Sequence, residues 1–348
     1  MNCQSAIILA GGYGTRLRPL TFTMPKPMVP FLNAPMISYQ IKALKSVGVN
    51  IIVLSVSRLA HCDQLMAYTD VLERELGIKI LYAIEDMPLD TGGACIEAFR
   101  SLKRYWTENG VSQYQQSRRV ILSFADVYCS NFQLAYTSLS CPVDDNVLKN
   151  DVLMLATTVA DPSRYGVLLT EAPSDHSEPL RIRSFIEKPK TWCGNLINAG
   201  VFSIPTIMLE ELCQSHPKAT PLSLERRIFV DWVKSGQLCC MPLPKDVFWI
   251  DLGKPGDYLD ATMHMVKHSA QEEDCLAENN VIGADSVIAK NARVKESIIM
   301  DGVTIGEACS IKRSIIGPNV RVPDNSEWIE KVAALNTKRE LVVQSIEK

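Results

Sequence analysis

The sequence predicts an α/β fold, a doubly wound and mostly parallel sheet followed by a small C-terminal left-handed β-helix. Three observations carry this prediction. Near-continuous apolar runs alternate with amphipathic helical segments, a glycine-rich loop follows the first run directly, and beyond residue 278 aliphatic residues recur at steps of five or six.

The first run, Ala6-Ile7-Ile8-Leu9-Ala10, reads as a buried strand emptying into Gly11-Gly12-Tyr13-Gly14-Thr15-Arg16. Glycines after a strand let the backbone close around an anion and offer it N–H groups. Arg16 and Lys26 supply the charge that amides cannot, and Pro25 and Pro27 place Lys26 on a defined loop rather than in a helix. The spacing is neither the dinucleotide fingerprint nor the Walker phosphate loop. Pro35 then opens a helix with Ile37, Ile41 and Leu44 on one face, Gly48 ends it, and a strand follows over 51–54. The rhythm continues with a helix over 64–75, a strand over 78–83, a helix over 93–105 and a strand over 120–123 that ends at Asp126. Ligands of such sheets gather at the carboxyl ends of the strands, which puts the Gly11 loop and Asp126 on one edge.

From Asp151 the pattern loosens into strands over 152–159, 165–170, 182–186 and 196–204, then a helix carrying Leu224, Ile228 and Trp232. Phe248-Trp249-Ile250-Asp251 leads through Gly253 and Pro255 into a helix over 257–268. The polar, acidic stretch from Ser269 to Glu278 marks a boundary between domains 1–270 and 278–348. Beyond it Ile282, Ile288, Val294, Ile299, Ile305, Ile311, Ile316 and Val322 mark hexapeptide steps, three to a turn of roughly 18 residues. About two turns bury little core, so a homo-oligomer formed through the β-helix is expected. The tail from Trp328 to Glu347 reads as a helix.

A net charge of -3 over 348 residues gives no basic field for nucleic acid or an anionic membrane. No apolar run approaches the roughly 18 residues of a membrane span, and the run at 6–10 is too short for a signal peptide. Eleven cysteines, an odd number with no Cys-x-x-Cys pair, suit reduced thiols in the cytoplasm. Cys239 and Cys240 read as packing on opposite faces of a strand. His264 and His268 lie one helical turn apart without the companions of a zinc motif and read as an ordinary helix face.

Taken whole, Leu9 to Thr21 followed by Pro25-Lys26-Pro27 resembles the signature of the sugar nucleotidyltransferases, Leu-Ala-Gly-Gly-x-Gly-Thr-Arg-Leu-x-Pro-Leu-Thr then Pro-Lys-Pro, with every position filled. Four later segments are similar to elements of the same family. Tyr165-Gly166-Val167 matches a strand beside the acceptor sugar, Phe185-Ile186-Glu187-Lys188-Pro189 the Phe-x-Glu-Lys-Pro element, Asn198-Ala199-Gly200 the sugar-binding Asn-x-Gly, and Trp249-Ile250-Asp251-Leu252-Gly253 the Trp-x-Asp-x-Gly segment. Alone, Asp126 could cap a strand end, Lys188 could be solvated and Asn198 could serve a turn; their shared order speaks for the family.

The resemblance implies a Rossmann-like nucleotidyltransferase domain over 1–270 that joins a sugar 1-phosphate to the α-phosphorus of a nucleoside triphosphate, releasing pyrophosphate. Such chemistry rests on neutralising and aligning two polyanions. By resemblance Leu9, Ala10, Gly11, Gly12, Gly14, Thr15 and Arg16 bind the nucleotide, and Lys26 bridges it to the acceptor. Asp126 and Asp251 hold Mg2+; with Arg16 and Lys26 they form the catalytic set. Gly166, Glu187, Lys188 and Asn198 take the sugar phosphate. The closest resemblance is to the mannose-1-phosphate guanylyltransferases, which implies GTP and mannose 1-phosphate as substrates. Their base-binding loop corresponds to Glu85, Asp90, Thr91 and Gly92, with Asp90 in place of a glycine and Gly92 in place of an alanine. Phe124 and Ala125 depart likewise from a Gly or Asn in relatives. Alternatives are transfer to heptose or glucose 1-phosphate, use of a uridine or thymidine nucleotide, or a catalytically silent regulatory subunit. A hexapeptide acyltransferase is disfavoured by the short repeat and the lack of a histidine between Val281 and Val322.

Overall fold

The computed structural model describes residues 5–111, 117–139, 150–171, 179–268 and 279–346. In chain order the elements are β1 (Ser5–Leu9), a hairpin of β2 (Pro30–Phe31) and β3 (Ala34–Pro35), α1 (Met36–Ser46), β4 (Ile51–Ser57), α2 (Cys62–Leu76), β5 (Lys79–Glu85), α3 (Asp90–Glu108), β6 (Arg119–Phe124), β7 (Val127–Cys129) and α4 (Phe132–Ser138). They continue with β8 (Val152–Thr158), β9 (Gly166–Thr170), β10 (Leu180–Glu187), β11 (Leu196–Pro205), α5 (Thr206–Ser215), α6 (Phe229–Lys234), β12 (Leu238–Pro242), β13 (Trp249–Asp251) and α7 (Pro255–His268). Contact density divides the chain into two units, Met1–Gly12 with Tyr39–Trp249, and Tyr13–Ser38 with Ile250–Lys348. The polar stretch Ser269 to Glu278, taken from the sequence as a domain boundary, lies outside the described residues.

The first unit is built on a nine-stranded sheet in the order β5-β4-β1-β6-β11-β8-β12-β10-β9. Strands β5, β4, β1 and β6 are parallel, as the alternating apolar runs predict. From β11 onward the sheet is mixed. β11 runs antiparallel to β6 and β8, β12 is parallel to β8, and β10 is antiparallel to β12 and β9. Neighbouring residues Ile7 and Ile8, Ile52 and Val53, and Ile121 and Leu122 are all buried, so both faces of the sheet are covered. One core cluster joins Phe99, Leu102 and Trp106 of α3 with Phe229 and Trp232 of α6 and with Leu122, Met154 and Phe202 of the sheet. Each fully buried large side chain stabilises by about 1.5–3 kcal/mol. Cys239 and Cys240 are both buried on β12 as unpaired thiols, and burial pushes the Cys240 thiol up to about 12.

In the second unit β14 (Val281–Ile282), β15 (Val287–Ile288), β16 (Arg293–Lys295), β17 (Ile298–Ile299), β18 (Thr304–Ile305), β19 (Ser310–Lys312), β20 (Ile315–Ile316), β21 (Arg321–Val322) and β22 (Glu327–Ile329) stack as three parallel sheets, the pattern of a β-helix. Val281 pairs with Ile298 and Ile298 with Ile315, a repeat of 17 residues seen again in the side-chain ladder. That value lies just under the hexapeptide ideal because one step in each turn is five residues long. Ile299, Ile305, Ile311, Ile316 and Val322 fill the core. Beside them the Ser297 N–H donates to Asn280 Oδ1 at 3.0 Å, the Ser314 N–H to Ser297 Oγ at 3.1 Å, and the Lys331 N–H to Ser314 Oγ at 3.1 Å. On α7 the rings of His264 and His268 stack at 4.1 Å.

The tail expected to be helical is strand. After β22 come β23 (Lys331–Leu335) and β24 (Leu341–Ser345). β23 adds a fourth rung by pairing in parallel with β20, and β24 folds back antiparallel on β23. Ala333, Ala334 and Leu335 are good helix formers, but pairing with an exposed sheet edge outweighs that weak preference.

Candidate active site

In the first unit Leu9, Glu85 and Asp126 stand at or just past the carboxyl ends of β1, β5 and β6. Leu9 is the last residue of β1; the Ala10 N–H donates to the Ser55 carbonyl at 2.8 Å, and the Ala125 N–H donates to the Leu9 carbonyl at 3.1 Å. The turn carrying Asp126 therefore stands beside the start of the glycine loop. Gln40, fully buried, fixes that turn: its Nε2 donates to the carbonyls of Phe124 and Val127 at 2.9 and 3.0 Å, and its Oε1 accepts from Ser123 Oγ. A Cβ on Gly11 would lie 2.9 Å from Glu85 Oε1, so the loop rests on that carboxylate. Gly12 is exposed, with open space around it.

Glu85 ends β5 and is buried. It accepts from Ser55 Oγ at 2.6 Å and from the Leu89 N–H at 3.3 Å, and burial raises its carboxyl above the ordinary value against those two bonds. Asp90 opens α3 with φ 56°, in the left-handed region that favours glycine and tolerates Asp. This accounts for the glycine it replaces. Its Oδ1 accepts the Thr91 N–H at 2.7 Å. The Thr91 hydroxyl donates to Glu225 Oε2 at 2.6 Å and accepts the Leu224 N–H at 3.0 Å. The N–H groups of Gly92 and Gly93 both donate to the Leu222 carbonyl, and a Cβ on Gly92 would lie 2.8 Å from that oxygen. The start of α3 is thus clamped to the segment at 220–225.

The acceptor-side residues lie on β9, β10 and β11. Gly166 pairs with Glu187, and a Cβ there would run into Phe185 Cζ, so glycine makes room for the ring. Lys188 has φ 48°; its Nζ lies 3.1 Å from Glu187 Oε1, and its N–H donates to the Tyr165 carbonyl. Asn198 Oδ1 accepts the Gly200 N–H at 2.8 Å at an irregularity in β11. The Phe124 ring lies against Gly200 and meets Phe202 edge-on at 5.4 Å, which is the packing made by the departure at that position.

The second unit holds Gly14, Thr15, Arg16, Lys26 and Asp251. Gly14 has φ 61°, its carbonyl accepts from Thr21 Oγ1 at 2.7 Å and from the Leu17 N–H at 2.9 Å, and a Cβ would lie 3.0 Å from Lys26 Cβ. Lys26 begins a short turn, Lys26–Met28, and is only 8% exposed, whereas Thr15 and Arg16 are exposed. A Cβ on Gly253 would lie 3.0 Å from Asp251 Oδ1 and 3.3 Å from Arg16 Nη2, so the bare glycine seats both groups.

Two groups escaped the sequence reading. Gln40 stands in a helix otherwise read by its apolar residues, and a polar residue at a core-facing position was its signal. Glu225 is half-buried, with its carboxyl raised by desolvation first and by Glu187 among the lesser causes; nothing in a solvated-looking Leu-Glu-Arg-Arg run pointed to it.

A model of the nucleotidyl transferase family matches residues 5–268. The chain belongs to that family. It is a nucleotidyltransferase, and a GMPPB C-terminal domain model matches residues 261–344. Relatives include the mannose-1-phosphate guanylyltransferase catalytic subunit beta of Dictyostelium discoideum, 34% identical over 80% of this chain and 69% of that protein. A probable mannose-1-phosphate guanylyltransferase 2 of Arabidopsis thaliana is 32% identical over 91% of this chain and 76% of its own length. The mannose-1-phosphate guanyltransferase of Candida albicans is 31% identical over 92% and 87%. Among solved structures, HddC from Yersinia pseudotuberculosis complexed with GMP-PN superposes with TM-score 0.55 at 26% identity, covering 75% of this chain and 99% of that one.

Enzymes of this family generally use a divalent metal ion. The described residues contain no group of three or more His, Cys, Asp and Glu suited to an ion. Asp126 in the first unit and Asp251 in the second are each half-buried carboxylates. A carboxylate is a hard oxygen donor of the kind that suits such an ion. No helix among the described residues is long and apolar enough to cross a membrane.

Proposed function

We propose that this chain transfers a guanylyl group from GTP to mannose 1-phosphate, giving GDP-mannose and pyrophosphate. The observation that carries the reading is that relatives named for this reaction match over most of the chain, while Arg16, Lys26, Asp126, Lys188 and Asp251 are all present. The structure with GMP-PN supports a guanine nucleotide.

In this reading the amides of 11–15 and the exposed Arg16 hold the triphosphate. Lys26, rigid between Pro25 and Pro27, balances charge between donor and acceptor phosphates. Asp126 and Asp251 would hold Mg2+, which supplies Lewis-acid polarisation of the α-phosphate. Lys188 leaves Glu187 to meet the sugar phosphate, while Glu187 and Asn198 take sugar hydroxyls and Gly166 leaves the sugar room. Glu85, Asp90, Thr91 and Gly92 shape the base pocket chiefly as a frame, since their polar groups are bonded within the protein. The unpaired thiols suit the cytoplasm, and the short β-helix suits a homo-oligomer.

Competition tests the nucleotide. With mannose 1-phosphate and Mg2+, unlabelled GTP should suppress incorporation of labelled GTP into nucleotide sugar far better than UTP or dTTP. Equal suppression by all three would remove the guanine assignment.

A further inference from the structure

The first unit sets beside the acceptor residues a carboxylate that the family resemblance does not assign. Residues Leu224–Ile228 form one wide turn, in which the Ile228 N–H donates to the Ser223 carbonyl five residues back, and the turn runs on into α6. Such wide turns inside helices recur at functional sites. Glu225 stands in this one. Its Oε2 accepts from Thr91 Oγ1 at 2.6 Å and from Ser223 Oγ at 3.1 Å, whereas among the described residues no side chain donates to Oε1. The neighbouring Arg227 pairs with Asp231 at 3.1 Å and not with Glu225. Half-buried, Glu225 is held by one oxygen and keeps the other to offer.

What that oxygen faces follows from two registers. Phe185 and Glu187 are two apart on β10 and so share a face of the sheet. Phe229 lies one turn beyond Glu225, and its ring meets the Phe185 ring at 5.4 Å between centres. Burial and then, among lesser causes, the Glu187 charge raise the Glu225 carboxyl, so the two carboxylates stand at the same end of this ring contact. A frame that had only to hold Thr91 and Ser223 would need an acceptor, and a neutral amide would serve without desolvating a charge or opposing Glu187. Lys188, 3.1 Å from Glu187, relieves part of the repulsion, but in the proposed reaction it turns to the sugar phosphate. Two carboxylates left facing each other are then stabilised by hydroxyl donors, one for each.

We propose that Glu225 selects the acceptor: its Oε1 accepts a hydrogen bond from a sugar hydroxyl next to the one that Glu187 takes, so the acceptor is a sugar 1-phosphate with hydroxyls on two neighbouring carbons. This deepens the acceptor reading above and rests on the sugar role given there to Glu187.

The test is calorimetric titration of the full chain, loaded with Mg2+ and a non-hydrolysable GTP analogue, with mannose 1-phosphate and with its 2-deoxy, 3-deoxy, 4-deoxy and 6-deoxy forms. Wild type is compared with Glu187→Gln and with Glu225→Gln, which keeps an amide oxygen for Thr91 and Ser223 but removes the charge and the acceptor at Oε1. Mannose 1-phosphate should bind Glu225→Gln on the order of tenfold or more weakly, as for a lost charge-assisted bond, while the GTP analogue binds within about twofold of wild type. One deoxy form should weaken by a similar factor against wild type and lose nothing further against Glu225→Gln, and the form lacking the hydroxyl on a neighbouring carbon should behave in the same way against Glu187→Gln. A residue acting only through the frame does not produce this pattern, because its loss multiplies the loss from every missing hydroxyl alike. Glu225→Asp, whose shorter side chain cannot reach both Thr91 and the sugar, should repeat the pattern and serves if Glu225→Gln does not fold. Mannose 1-phosphate binding within about twofold of wild type in Glu225→Gln, additive losses for every deoxy form, or a pair of carbons that are not neighbours overturns the proposal and leaves the substrate reading standing. Wild type that binds the analogue but not mannose 1-phosphate sinks that reading instead, and the same cycle on the deoxy forms of whichever sugar 1-phosphate binds then decides Glu225; binding of none overturns both.

Discussion

Segments 85–93 and 13–26 both belong to loops that the family resemblance gives to the nucleotide, yet they use their polar groups in opposite ways. In 85–93 almost everything is committed within the protein: Glu85 to Ser55 and Leu89, Thr91 to Glu225 and Leu224, and the N–H groups of Gly92 and Gly93 to Leu222. In 13–26 the backbone is pinned by the Thr21 bond to Gly14, but Arg16 stays exposed and forms no ion pair among the described residues. The first segment is a preformed frame, the second a held charge. Shape selection needs the former, and stabilising a transient polyanion needs the latter, because only charge that is not already neutralised can act on the reacting phosphates.

The sharpest break of this contrast is on the charge side. Lys26→Ala and Asp126→Ala should each lower turnover by about a thousandfold or more while the melting transition stays cooperative, since positioned charge dominates phosphoryl chemistry. Pyrophosphate release and thermal denaturation on the same preparations decide it, and near-normal rates in either variant would remove that residue from the centre.

On the frame side, Thr91→Val should cost stability rather than chemistry. It strips a hydrogen bond from the half-buried Glu225 and from the Leu224 N–H, a loss of about 1–3 kcal/mol. Urea unfolding should show that loss with the KM for GTP within about threefold of wild type. A large KM change at unchanged stability would mean that Thr91 meets the nucleotide directly.

Glu225 gives the same frame a pH signature. Burial, with the Glu187 charge adding, raises its carboxyl above 4.5, against hydrogen bonds from Thr91 and Ser223. The folded chain then holds this proton more tightly than the unfolded chain does. The contribution is full below about 4.5 and is lost as pH rises through the raised value. The stability of wild type relative to Glu225→Gln should therefore decline from pH 4.5 to pH 7.5; a gap independent of pH contradicts this.

The smallest effect is expected at Asp90. Glycine fits φ 56° without strain, so Asp90→Gly should shift stability by only a few tenths of a kcal/mol as the lost bond to the Thr91 N–H offsets the relieved backbone. The preference for GTP over UTP should persist if Asp90 is frame, and collapse if its carboxylate reads the base.

How much of this was legible in the sequence follows from the range of each interaction. Ala6 to Leu9, the Gly11 loop and the five-or-six-residue steps from Ile282 are local patterns with one physical solution, and they appear as the parallel half of the sheet and as stacked β-helix rungs. The mixed half, from β11 onward, depends on which strand inserts beside β6, and nothing in the composition of 196–205 states that. The residues of 331–335 look helical until β20 offers an edge one repeat away. At the site, the cations, carboxylates and glycines were visible as residue types, whereas Gln40 and Glu225 act through partners some 80 and 130 positions distant and carry no motif.

The guanylyltransferase assignment is decided by incubating purified chain with Mg2+ and a matrix of nucleoside triphosphates against sugar 1-phosphates, reading pyrophosphate release and the nucleotide sugar formed. The predicted result is strongest release for GTP with mannose 1-phosphate, with GDP-mannose as product. Silence across the matrix would make the chain a non-catalytic relative, and a maximum at another pair would overturn the substrate assignment.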